Sequence, residues 1–113
     1  MSAANHDLVI DQGSTFVIDL TIKESGSAKN LTGYAARAQL RTTKTASAVA
    51  ASFTCSIVAP ATNGVVKMEL PATTSSAMAA GVYFYDLEIH TGSDVIVKRL
   101  IEGTATINQE VTR

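Results

Sequence analysis

Apolar residues recur at every second position in nearly every stretch of this chain that carries them, and that period constrains the fold more than any other feature. In STFVIDLTIK, the residues Phe16, Ile18, Leu20 and Ile22 alternate with Thr15, Val17, Asp19, Thr21 and Lys23. Successive side chains of a strand point to opposite faces, so a period of two marks a strand with one face in a core. The pattern repeats in YAARAQLR, where Tyr34, Ala36, Ala38 and Leu40 oppose Arg37, Gln39 and Arg41. It repeats again in ASFTCSIVA through Phe53, Cys55 and Ile57, and in VVKMELP through Val66, Met68 and Leu70. GVYFYDLEIH sets Tyr83, Tyr85, Leu87 and Ile89 against Phe84, Asp86 and Glu88. Leu8-Val9-Ile10 forms a short apolar strand, and DVIVKRLIEGTATINQEVT forms a long final one, expected to bend or bulge at Gly103.

Turn chemistry separates these runs. ESGSAKN and Thr91-Gly92-Ser93 are turns, TTKTASAVA is a loop, and Pro60 with Asn63-Gly64 is expected to close a tight hairpin between strands at 51–59 and 64–70. PATTSSAMAAG supplies one short helical turn near 73–80, capped by Thr74 or Ser75, with Met78 turned to the core. Short alternating strands punctuated in this way predict an all-β antiparallel sandwich of about seven strands. The 113 residues suit a single domain, 1–113, with flexible ends at 1–7 and 109–113.

Nine Lys and Arg against ten Asp and Glu leave a net charge of -1, with no basic field to gather nucleic acid or anionic lipid. Only Arg37, Arg41 and Lys44 cluster, at a spacing that suits the solvent face of one strand and its turn. No run approaches membrane-spanning length and the amino terminus has no signal-peptide pattern, so synthesis in the cytosol is expected.

The densest functional side chains lie in YFYD and His90, but alternation sends Tyr83 and Tyr85 away from Asp86. Their rings belong in the core, with a hydroxyl bonded to backbone at a strand corner. Asp86 and Glu88 face outward, where Arg99 or Lys98 can oppose them. Cys55, the lone cysteine, reads as an inert thiol within a strand. His6 and His90 have no partners at metal-ligand spacing, and no nucleophile elbow or phosphate-cradling glycine loop is present. The sequence therefore predicts no catalytic residue, cofactor, metal or small-molecule substrate, and no enzyme.

The order of QGSTFVIDL, LTGYAARAQLR, GVVKMELPATTSSAMAAGVYFYDLEI and VKRLIEGTATINQEVTR resembles small immunoglobulin-like β-sandwich domains in virion structural proteins of tailed bacteriophages. It is similar in particular to the amino-terminal domain of upper baseplate proteins. The units that match are Leu31-Thr32-Gly33-Tyr34, Gly81 with Tyr83-Phe84-Tyr85-Asp86-Leu87, and the Gly103 strand ending in Glu110-Val111-Thr112-Arg113. The resemblance implies a non-enzymatic tail, neck or baseplate adaptor in the virion, made in the host cytoplasm and homo-oligomeric in the particle, where symmetric copies pack against other virion proteins. Capsid decoration is the alternative role, and a carbohydrate-binding module a more distant one. The contact surface is expected at both ends and the loop at 42–50, through His6, Asp7, Arg37, Arg41, Lys44, Glu110, Thr112 and Arg113. The sheet face bearing Arg37, Gln39 and Arg41 is the other candidate.

Overall fold

The computed structural model describes residues 4–24, 26–92 and 96–111. Residues 1–3, Ser25, 93–95, Thr112 and Arg113, all named in the sequence expectations, lie outside the described residues. In chain order the strands are β1 (Ala4–Asn5), β2 (Leu8–Asp11), β3 (Phe16–Thr21), β4 (Lys23–Glu24), β5 (Ser27–Ala28), β6 (Ala35–Arg41), β7 (Ala51–Ile57), β8 (Val65–Leu70), β9 (Gly81–His90) and β10 (Val97–Asn108). A 3-10 turn at Ala61–Asn63 and one short helix, α1 (Ala72–Ser76), complete them. Among the described residues no helix is long and apolar enough to cross a membrane.

The pairing order is β1-β10-β9-β6-β7-β8-β3, with β2 also on β10. Strand β7 joins two layers. Its first half pairs with β6 (Ala38 with Phe53, Leu40 with Ala51), and its second half with β8 (Thr54 with Glu69, Ile57 with Val66). The sheet therefore curls over itself at Phe53–Thr54, with β2, β10, β9 and β6 in front and β8 and β3 behind. This is the strand order of an immunoglobulin-like sandwich. The pairing is antiparallel except at the front edge, where β1 and β2 run parallel to β10.

The sequence phase holds in β3, β6, β7, β8 and β9. Leu40, Val66, Met68, Leu70, Leu87 and Ile89 are fully buried, and Tyr83 and Tyr85 nearly so. With no tryptophan to fill the core, Phe16, Phe53 and Tyr85 span it from back to front, with successive ring centroids 6.1 Å apart. Each tilted or edge-on pair adds about 0.5–1.5 kcal/mol beyond the area it buries. Tyr83 donates its hydroxyl to Ala79 O at 2.8 Å, four residues upstream, which fixes the corner entering β9.

Three local expectations are corrected. The β7–β8 connection is not a tight turn but runs through residues 58–64, because it docks on the 22–31 segment: Ile22 N–H donates to Gly64 O and Leu31 N–H to Ala61 O. Gly64 does take positive φ, 71°, and a Cβ there would meet Lys29 O at 2.7 Å and Ile22 O at 2.8 Å. The helical turn runs over 72–76 and begins at Pro71, with no side-chain cap from Thr74 or Ser75. The buried Ser75 hydroxyl instead accepts from Gly13 N–H and donates to Ser14 O, both at 3.0 Å, pinning α1 to the turn after β2. The bulge in β10 falls between Arg99 and Ile101, not at Gly103, whose register with Tyr85 is regular. Gly103 has a different task, since a Cβ there would lie 2.5 Å from His6 O. Near the ends, three backbone groups bond within the fold. His6 N–H donates to Glu102 O, Thr104 N–H to Asp7 Oδ1, and Glu110 N–H to Gln12 Oε1.

Candidate functional site: a charged sheet face

The outward residues of β6, β9 and β10 line up because the three strands pair in register: Arg37 opposes Glu88, Gln39 opposes Asp86, and Glu102 opposes Asp86 from the other side. The extra residue Leu100 resets the phase of β10, so both Arg99 and Glu102 face out while Ile101 stays in the core. These side chains line an open trough of about 630 Å³, with Phe84 also in its lining.

The charges in the trough interlock. Arg37 Nε pairs with Glu88 Oε1, Arg99 Nε lies 3.0 Å from Asp86 Oδ2, and Lys44 Nζ lies 3.7 Å from Glu102 Oε2. Arg41 donates to Ala46 O at 2.8 Å and to Gln39 Oε1 at 3.0 Å, which fastens the 42–50 loop to the end of β6. Four cations against three carboxylates leave one positive charge in excess. Pairs this exposed are each worth about 0.2–1 kcal/mol, so they organise the surface more than they stabilise the fold.

The structure thus brings Arg37, Arg41 and Lys44 together and places His6, Asp7 and Glu110 elsewhere. His6 and Asp7 sit at the kink between β1 and β2, and Glu110 lies beside Gln12 after β10. Thr112 and Arg113 lie outside the described residues. The sequence reading singled out neither Glu102 nor Phe84 for the site and treated Asp86, Glu88 and Arg99 only as solvated strand pairs. The alternation did show all of these but Arg99 and Glu102 to be on one face, and the β10 bulge hides those two.

The groups that attract chemical suspicion are held inert. Tyr85 donates its hydroxyl to His6 O on the side of β9 opposite Asp86. Desolvation by burial, with the Asp7 charge adding to it, pushes its phenol up to about 12. Burial likewise pushes the Cys55 thiol up to about 11, leaving it protonated at neutral pH. Among the described residues, no group of three or more His, Cys, Asp or Glu is placed to hold a metal ion.

No protein-family model matches the chain, and no curated protein matches it. Among solved structures, Listeria monocytogenes InlP aligns with a TM-score of 0.51 and 17% identity, over 94% of this chain and 28% of its own. A family 123 glycoside hydrolase from Clostridium perfringens aligns over 100% of this chain and 24% of its own, with a TM-score of 0.43 and 10% identity. The chain spans about a quarter of the length of each. At such identity the first likeness speaks for the fold alone, and the second is too loose to carry any argument.

Proposed function

We propose that this chain is a non-enzymatic assembly module that docks onto other protein subunits through the outer face of β6, β9 and β10 and the adjoining 42–50 loop. The observation that carries the reading is the trough itself, a near-neutral lattice of paired charges with Phe84 among its lining residues. Opposite charges held in a fixed pattern select a partner of complementary pattern and set its register, which suits docking in a defined orientation. The resemblance of the strand motifs to virion domains supplies the setting, a tail, neck or baseplate adaptor of a tailed bacteriophage. Residues 4–7 and 110 are engaged within the fold itself, which moves the proposed contact from the chain ends to the sheet face.

Reversing Arg37, Lys44 and Arg99 to Glu together tests this. The expected result is loss of incorporation into particles with the fold retained, because exposed pairs contribute little to stability. Normal incorporation of the triple variant would refute docking through this face.

A further inference from the structure

Strand β3 ends the sheet, and the direction of its backbone groups follows from one bond outside the ladder. Ile22 N–H donates to Gly64 O at 2.7 Å, and this pair continues the register of Leu20 with Val66, Ile18 with Met68 and Phe16 with Leu70. In an antiparallel ladder every second pair is hydrogen-bonded. Phe16, Ile18 and Leu20 therefore bond to β8, while Val17, Asp19 and Thr21 aim N–H and C=O away from it. The other side of β8 agrees, since Val58 N–H donates to Val65 O, so the odd residues of β8 serve β7.

These outward groups meet no neighbour among the described residues, and Val17, Asp19 and Thr21 are all exposed. Edge strands are ordinarily blunted by charged side chains, proline or a bulge, and FVIDLT has one charge, Asp19, with no lysine, proline or bulge. The inward row Phe16, Ile18 and Leu20 is only half-buried, whereas the β8 residues opposite, Leu70, Met68 and Val66, are completely covered. A strand added here would satisfy the edge and finish covering that row.

We propose that the added strand is β3 of a second copy, paired antiparallel about a twofold axis through Ile18. The occupant must be apolar at alternate positions on the core side and must not set an acid against Asp19, and β3 meets both conditions. In this register Ile18 lies beside its twin, Phe16 beside Leu20, and Asp19 opposite Val17, with the unpaired groups of 17 and 19 bonding each other. Sliding two residues one way would set Asp19 against Asp19, which like-charge repulsion disfavours. Sliding two residues the other way would set Leu20 against the polar Ser14. The interface is isologous and closes at two copies. It leaves the charged trough on the opposite layer open.

Sedimentation equilibrium of the full chain tests the pairing, with monomer melting as the control for folding. A concentration-dependent dimer is expected. Val17→Asp creates two like-charge pairs by symmetry and raises the dimer dissociation constant about two- to thirty-fold, while Val17→Lys creates two opposite-charge pairs and lowers it by a similar factor. Asp19→Pro removes only an outward N–H, so it abolishes the dimer while sparing the β8 ladder. If it fails to fold, the opposed shifts of the two exposed Val17 variants still decide the matter. A monomer at every concentration, or a dimer whose constant none of the variants moves, overturns the proposal.

Discussion

Tyr85→Phe removes a single oxygen atom and should loosen the front edge of the sandwich. The Tyr85 hydroxyl donates to His6 O, and His6 lies in the kink that carries β1 into β2 past Gly103. Phe keeps the ring and its edge contact with Phe53, so the perturbation is confined to one hydrogen bond. A net hydrogen bond contributes about 0.5–1.5 kcal/mol, and leaving a partly buried carbonyl without its donor adds to the loss, giving about 1–2 kcal/mol in all. For a domain of this size that lowers Tm by about 4–10 °C. Calorimetry gives the total, and hydrogen exchange locates it. The amides of His6 and Thr104, bonded to Glu102 O and Asp7 Oδ1, should exchange faster, while those in β8 change only as much as global stability does. Tyr83→Phe is the control, because its bond goes to Ala79 O at the entry to β9 and not to the 6–7 segment, so its loss should change those two amides only as much as global stability does. A Tm change below about 1 °C, with unchanged exchange at His6 and Thr104, would refute this account of how the edge is held.

Further outcomes follow from the same geometry. Ser75→Ala strips Gly13 N–H and Ser14 O of their shared partner and should cost about 1–3 kcal/mol in denaturant melts. Asp86→Asn, at an exposed ion pair with Arg99, should change stability by less than about 1 kcal/mol. Stability should fall on the alkaline side. Cys55 and Tyr85 both hold their protons more tightly folded than unfolded, so their contribution is complete below pH 9 and is lost as pH rises through about 11 and then about 12. Melting followed against pH should show this loss, and Tyr85→Phe should remove its upper part. Deleting residues 1–6 should lower Tm measurably, since β1 and the His6 carbonyl go with them.

The sequence was most informative where period and burial are the same physical fact. Phe16 to Ile22, Tyr34 to Leu40 and Tyr83 to Ile89 each announce a strand with one inward face, and the structure turns those faces to the core. It was least informative where a distant segment decides local geometry. Asn63-Gly64 looks like a two-residue hairpin turn until the 22–31 segment presents Ile22 and Lys29 for the loop to dock on. Gly103 looks like a bulge because a missing side chain cannot reveal whether it serves curvature or the close approach of His6. The candidate site was half legible for the same reason. Alternation places Arg37, Asp86 and Glu88 outward, but only the bulge at Leu100 lets Arg99 and Glu102 join them.

The central claim is that the chain works by docking as a subunit in a larger particle. Quantitative mass spectrometry of purified phage particles, with isotope-labelled peptides of this chain as standards, tests that most directly. The account predicts that the chain is a stoichiometric component present in tens of copies, as a symmetric ring in a tail, neck or baseplate requires. Hundreds of copies would assign it to the capsid shell instead, and its absence from the particles would contradict the account.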